Sequence, residues 1–368
     1  MIIWLTLLAL LVSTMLHGQV ISTPITLYQQ FNGKYGYTVI GNTHNMADNI
    51  TSSTCQFLTN SSASLNLNPN RTIEAAYLIW SGISDGVGTS FSLNGNLIIP
   101  DYTNFANSSP PSPYFSAVKD ITSYVLNFGN GNYQITNFDL NPFISQYCSN
   151  AVYYSGWNII VVYSDNSLPN VQLNIYDGLQ LAILNTFTIY NLNVTNTTNA
   201  NLTCLSWNGS PNSFINESIA FNGNLLSNAQ SPPNNPFNSS DSFTGSTASW
   251  NRDVDLFDIS NSINVGDTSA TIAVTSSFIR FISNIITSIP SELPEATVAI
   301  NSITGQDVCQ NRDLAIDFTV FNVNSNDTLP ANTPVSFFVN DSIFVGTINT
   351  PAEILIDDSL TMSALVNI

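Results

Sequence analysis

Apolar residues in this chain fall in short runs separated by clusters of Asn, Gly, Ser and Pro, rather than at the three- and four-residue spacing of helices. The segment Tyr154-Ser155-Gly156-Trp157-Asn158-Ile159-Ile160-Val161-Val162-Tyr163 is a nearly unbroken apolar, β-branched stretch that reads as a strand buried on both faces. After a Pro-containing loop, Val171, Leu173 and Ile175 alternate with Gln172 and Asn174, the period of a strand with one face in a core. Together the two segments read as the centre of a sandwich. Residues 27–31, 37–40, 63–67, 74–80 and 89–93 continue the pattern on the N-terminal side. Asn-Gly pairs at Asn32-Gly33, Asn94-Gly95, Asn130-Gly131, Asn208-Gly209 and Asn222-Gly223 supply the positive φ that type I′ hairpins require. Many short strands joined by such turns predict an all-β fold of antiparallel jelly-roll-like sandwiches, and only residues 114–128 suggest one or two helical turns.

A faint echo divides the chain. Leu93-Asn94-Gly95 precedes Val118-Lys119-Asp120-Ile121-Thr122 and then Gly129, while Phe221-Asn222-Gly223 precedes Leu256-Phe257-Asp258-Ile259-Ser260 and then Gly266. Two related sandwich lobes, 19–195 and 196–290, account for this economically, with chance in an Asn-rich chain as the rival explanation. Pro290, Glu292, Pro294 and Glu295 read as a linker. Beyond it, residues 297–303, 314–323, 335–339, 343–348 and 360–368 read as strands of an immunoglobulin-like sandwich in 291–368. That fold takes about seven strands, so five predict an incomplete domain with an unpaired edge.

Charge changes the functional picture more than the architectural one. Only 8% of the 368 residues are Asp, Glu, Lys or Arg, yet they sum to −18, with six Lys plus Arg. Nucleic acid is a poor partner, because binding a polyanion relies on Lys and Arg displacing counterions, and anionic lipid is disfavoured for the same reason. Asn, the commonest residue, together with Ser and Thr, carries most of the surface polarity. The apolar stretch from Ile2 to Leu16, ending at Met15-Leu16-His17-Gly18-Gln19, reads as a secretory signal covering 1–18, although it lacks a basic leading region. It is short for a membrane span of about 20 residues, and no later segment is long and apolar enough to cross. Export permits disulfides among Cys55, Cys148, Cys204 and Cys309, which allow three complete pairings. Cys55 and Cys148 flank the first layer of strands and form the preferred pair, with buried free thiols as the alternative.

Candidate chemistry is sparse. Gly82-Ile83-Ser84-Asp85-Gly86 matches a nucleophile elbow, but the chain continues as strand, and His44 is the only histidine beyond the leading segment. Glu74, Asp85, Asp177 and Glu217 could supply a carboxylate pair for glycoside cleavage, although an Asp at a turn more often caps its own backbone. Asp253, Asp255 and Asp258 form the strongest ion-binding candidate, a calcium site in which Asp253 and Asp255 share a strand face; a charge-protected edge strand is the alternative.

Several segments resemble a known group. Glu74-Ala75-Ala76-Tyr77-Leu78-Ile79-Trp80-Ser81-Gly82, Ser155-Gly156-Trp157-Asn158, Tyr176-Asp177-Gly178 and Leu205-Ser206-Trp207-Asn208-Gly209 resemble the N-terminal region of large secreted surface proteins of the Bacteroidota. Those proteins often end in a gliding-motility-associated C-terminal domain. Cys309-Gln310-Asn311-Arg312-Asp313 and Leu329-Pro330-Ala331-Asn332-Thr333-Pro334-Val335 look like the CARDB-type adhesion module that follows it. Trp207-Asn208-Gly209-Ser210 stands where that group has an acidic turn, which weakens a cation site there. The sorting domain is also missing from this chain. That group has no firm catalytic role to transfer; the leading segment, the lack of a convergent catalytic set and the modular β architecture lead to the expectation of a secreted, cell-surface adhesion or scaffold protein, non-catalytic and holding an extracellular glycan or protein ligand. A carbohydrate-binding module of a larger enzyme, which Trp207, Tyr153 or Tyr154 exposed on one sheet face would favour, is the second reading, and a glycan hydrolase the third.

Overall fold

The computed structural model describes residues 22–367 except 53, 85–88, 108–112, 213–215, 292, 293, 295, 306–312, 324, 326 and 341. The leading segment, Cys309, Asp85 and much of the linker therefore lie outside the described residues. Strand occupies 54% and helix 5%, so the chain is all-β, as its short apolar runs predict. The chain forms two units, Met1–Pro290 and Ser291–Ile368.

In the first unit the strands are β1 (Thr23–Gly33), β2 (Tyr35–Thr43), β3 (Ser61–Leu65), β4 (Thr72–Ile83), β5 (Phe91–Leu93), β6 (Asn96–Ile98), β7 (Tyr102–Ala106), β8 (Tyr114–Asp120), β9 (Gly131–Thr136) and β10 (Ser155–Ser164). They continue as β11 (Val171–Leu181), β12 (Asn185–Tyr190), β13 (Asn201–Trp207), β14 (Ser218–Phe221), β15 (Asn224–Leu225), β16 (Arg252–Asp258), β17 (Ser269–Thr275) and β18 (Phe281–Pro290). Among the described residues of this unit, helix is confined to α1 (Thr122–Phe128), α2 (Asn141–Ile144) and the 3₁₀ turns of Ser145–Asn150.

Four sheets stack as layers. The outer sheet β3-β9-β5-β6 packs against the inner sheet β2-β10-β4-β8-β7, and Leu78, Trp80, Trp157 and Ile159 on one side meet Leu65, Phe91, Leu93 and Tyr133 on the other. The opposite face of that inner sheet carries Val39, Ile79, Ile160 and Val162, which meet Leu173, Ile175, Leu205 and Ile286 of a second inner sheet, β1-β11-β18-β13-β16. The far face of the second inner sheet, with Tyr176, Leu202, Phe257 and Ile285, is covered by β12-β17-β14-β15 through Ile189, Phe221 and Ile272. Burying the inner sheets on both faces explains their long apolar runs.

Without β1 and β7, the two halves have the same topology: β2-β10-β4-β8 over β3-β9-β5-β6, and β11-β18-β13-β16 over β12-β17-β14-β15. The echo in the sequence falls at matching places. Asn94-Gly95 and Asn222-Gly223 each close a hairpin with both residues at positive φ (46° and 84°, 48° and 82°), the combination type I′ needs. Asn94 Oδ1 accepts the Gln134 amide, and Asn222 Oδ1 accepts that of Thr271. Asp120 caps the Thr122 amide, and Asp258 caps that of Ser260, both at 2.8 Å.

Two expectations change. The lobes do not divide at 195/196, because β11 and β12 precede that point yet belong to the second sandwich, joined there by β1 at its edge. The break falls in the loop between β10 and β11. For the same reason those two strands are not partners in one sheet. They face each other across the inner core, and β11 is buried on both faces, with Gln172 5% and Asn174 0% exposed. The polar side of β11 is satisfied internally: Asn174 Nδ2 donates to Tyr176 Oη (3.0 Å) and to the Asn191 carbonyl (3.1 Å).

The second unit contains β19 (Thr297–Gly305), β20 (Asp313–Asn322), β21 (Pro334–Val339), β22 (Ile343–Asn349) and β23 (Asp358–Asn367), arranged as a β19-β20-β23 sheet and a β21-β22 pair. Its core gathers Phe318, Val320, Leu329, Ile354 and Met362.

Candidate functional site

Asp253 and Asp255 lie together on one face of β16, as their spacing predicts, and both are buried. One oxygen of each is held by protein donors: the backbone amides of Ser239 and Ser240 reach Asp253 Oδ1, and the Ser231 and Ser240 hydroxyls reach Asp255 Oδ1, while Asp253 Oδ2 is buried without a hydrogen-bond partner among the described residues. Burial pushes both carboxyls upward, and the Asp255 charge pushes Asp253 further. Asp258 does not join them. It sits exposed at the end of the strand, capping Ser260, which holds its pKa below the usual range. No cluster of three or more His, Cys, Asp or Glu suited to a metal occurs among the described residues.

The other sequence candidates are dispersed. His44 is fully buried, its ring nitrogens contacting Ser155 Oγ (3.2 Å) and Ser61 Oγ (3.0 Å), and burial lowers its pKa to about 3. A histidine held neutral between Ser61 and Ser155 is not placed as the base for Ser84. Glu74 accepts the Ser164 hydroxyl, Glu217 pairs with Arg280 at 2.8 Å, and Asp177 accepts from Asn104 (2.6 Å), Asn284 (2.8 Å) and Tyr102 (3.1 Å). Each carboxylate thus has its own structural partner. Tyr153, Tyr154 and Trp207 are 2%, 0% and 0% exposed, so they are core residues rather than a binding platform. Cys55 and Cys148 form a disulfide with Cα atoms 5.7 Å apart, whereas Cys204 is a buried free thiol whose pKa burial raises.

A cleft of about 410 Å³, able to hold a ligand, opens at the mouth between the two inner sheets. Tyr35 and Tyr37 of β2 share the face that continues inward as Val39, and reach the cleft from the first sheet. Asn201, Leu256 and Ser288 line it from the second. Tyr37 Oη lies 2.7 Å from Thr203 Oγ1 of β13, pinning the two sheets together beside the opening, and burial raises the Tyr37 pKa. Phe243 approaches Tyr37 with ring centroids 5.7 Å apart and planes tilted by 57°.

Each wall is held from behind. Phe243 sits in a turn whose amide is capped by Asp241 Oδ1 (2.9 Å), while Asp241 Oδ2 accepts from Arg252 Nη1 (2.8 Å) and Arg252 Nε donates to Asn158 Oδ1 on β10 (2.8 Å). Tyr163 packs against Gly36, directly across the strand pair, where an added Cβ would fall 2.7 Å from its ring, and the Arg71 guanidinium lies 4.3 Å from the ring centroid. On the rim, Asn196 Oδ1 accepts the Thr198 amide (2.9 Å) and Asn201 Nδ2 donates to the Asn199 carbonyl (2.8 Å). Apart from tyrosine, no ionisable side chain lines the cleft among the described residues. Sequence reasoning missed this site because its residues come from β2, β10, β11, β13, β16, β18 and the loops between them; the local signal was Tyr35-Gly36-Tyr37, two rings on one strand face.

No family model matches the chain, and no curated protein does. Solved structures with local similarity include an exo-chitosanase from Amycolatopsis orientalis in complex with PNP-β-D-glucosamine, at 14% identity over 54% of this chain and a TM-score of 0.16. A Bacteroides uniformis β-glucuronidase follows at 11% identity over 53% of this chain and a TM-score of 0.14. A β-glucuronidase from glycoside hydrolase family 2 gives 11%, 56% and 0.15. The chain spans 21% of the length of each, and superposition at this level carries no argument about its activity.

Proposed function

We propose that this is an exported, non-catalytic surface protein of adhesion or scaffold type that uses the inter-sheet cleft to hold an extracellular glycan or protein ligand. The observation carrying this reading is the composition of the cleft: aromatic rings and amides surround it, and no carboxylate or histidine is among its described lining residues. Rings supply apolar contact area and amides supply directional hydrogen bonds, a combination suited to binding. Hydrolysis of a glycoside would ask for two carboxyls flanking the bond, whereas Glu74, Asp177 and Glu217 each serve a separate contact elsewhere. The Cys55–Cys148 disulfide supports an oxidising compartment. Among the described residues no helix is long and apolar enough to cross a membrane. The resemblance of the Trp80, Trp157 and Trp207 segments to Bacteroidota surface proteins points the same way.

A glycan array probed with the fluorescently labelled protein, run beside turnover assays on fluorogenic glycosides, tests the proposal. Binding of a glycan or of an extracellular protein without turnover is the expected result. Turnover of any glycoside above the rate of a heat-denatured control would overturn it.

A further inference from the structure

We infer that the cleft takes a pyranose ring of an uncharged oligosaccharide, stacked on the Tyr37–Phe243 pair and hydrogen-bonded by the rim amides Asn196 and Asn201. This deepens the glycan-holding reading above and rests on it. Three features converge. The first is shape: at about 410 Å³ the cleft is near the small end of ligand sites, which run from roughly 300 to 1,000 Å³. The Tyr37 and Phe243 rings, tilted by 57° with centroids 5.7 Å apart, both line it, and the apolar C–H faces of a sugar ring can lie against aromatic surfaces.

The second is hydrogen-bond chemistry. A sugar hydroxyl both donates and accepts, and a side-chain amide offers both functions in one plane. Asn196 uses its oxygen on the Thr198 amide, and Asn201 uses its nitrogen on the Asn199 carbonyl. Among the described residues, the Asn196 nitrogen and the Asn201 oxygen have no protein partner, leaving a donor and an acceptor beside the rings.

The third is charge. A uronic or sialic acid would bring a carboxylate into a cleft with no cation among its described lining residues, on a chain of net charge −18. Removing that carboxylate from water without a partner is costly, which favours a neutral sugar. A proline-rich peptide also docks on aromatic grooves, but it presents mainly carbonyl acceptors and leaves the Asn201 oxygen without a donor.

The test is calorimetric titration of the full chain with cellohexaose, laminarihexaose, maltohexaose and xylohexaose, and with hexagalacturonate and decaproline as competitors in class. At least one neutral hexaose should bind, and Phe243→Ala should weaken that binding about tenfold or more without loss of the folded thermal transition. Thr198→Trp, which adds bulk on the exposed rim without touching the core, should weaken it comparably, and this variant decides the matter if Phe243→Ala does not fold. Tighter binding of hexagalacturonate or decaproline, or failure of all four neutral hexaoses, overturns the inference. Neutral-hexaose binding that neither variant alters also overturns it while leaving glycan binding as such intact; a wholly negative glycan array together with negative protein-ligand screens would remove the broader proposal instead.

Discussion

Arg252 and Asp241 form an ion pair 2.8 Å long in which both side chains are 1% exposed. Arg252 also reaches Asn158 on β10, so one cation ties the second sandwich to the first and fixes the turn that presents Phe243. Among the described residues, Arg252 and Arg280 are the cations buried in this way.

Removing one partner leaves a buried charge without compensation. Asp241→Ala should destabilise the first unit by about 3–5 kcal/mol, read from urea midpoints. The double variant Asp241→Leu/Arg252→Met should recover a substantial part of that loss, because no charge is then stranded.

Asp177 gives a pH dependence whose sign is fixed. Burial raises its pKa to about 6, against the pull of Asn104, Tyr102 and Asn284, compared with about 3.9 in an unfolded chain. Between those values the native state binds more protons than the unfolded one, so stability from this group is present below pH 4 and is lost as pH rises toward 6. The change is about 3 kcal/mol. Asp177→Asn should flatten this slope, measured as the difference in urea midpoint between pH 4.5 and pH 6.5.

The Cys55–Cys148 disulfide closes a loop of 93 residues. Replacing both cysteines by serine should cost about 4 kcal/mol through the freed unfolded chain. Wild-type protein in dithiothreitol should show the same drop in melting temperature as the double variant, and a smaller drop would mean the loop is held by packing alone.

Gly209 lies where an added Cβ would fall 2.0 Å from Asp253 Oδ2 and 2.7 Å from the Phe237 carbonyl oxygen. Gly209→Ala should therefore destabilise by about 1–3 kcal/mol through overpacking. Gly36→Ala should meet the ring of Tyr163 instead and weaken ligand binding as well as stability.

Calcium removal tests the Asp253–Asp255 pair. Because Ser231, Ser239 and Ser240 hold one oxygen of each carboxyl, burial favours their protonated forms and Asp258 lies apart, EGTA at matched ionic strength should leave the melting temperature unchanged. A fall that added Ca²⁺ reverses would restore the cation reading.

How much was legible depends on the distance over which each decision is made. Alternation and β-branching act between neighbours, and they revealed the strand at Ile159–Val162. Yet the same alternation in Val171–Ile175 predicted a solvent-facing side that does not exist, because a second layer covers it, Tyr176 and Asn191 accept from the Asn174 amide, and Gln172 Oε1 accepts the Asn193 amide. Asn-Gly pairs at 94–95 and 222–223 close paired hairpins, whereas Asn32-Gly33 joins β1 and β2, which enter different sheets. The chemistry of the turn is local, and the partner of each strand is not.

The sequence by itself determined the all-β class, the paired hairpin echo and the scarcity of ionisable groups, since these follow from periodicity, positive-φ turn residues and composition. Only the tertiary structure decided that two sandwiches share a buried middle, that Trp207 and Tyr154 belong to the core, and that Tyr37 meets Phe243 at a cleft. Residues about 200 positions apart are brought together there by how whole sheet faces exclude water, and no local pattern encodes which faces those are.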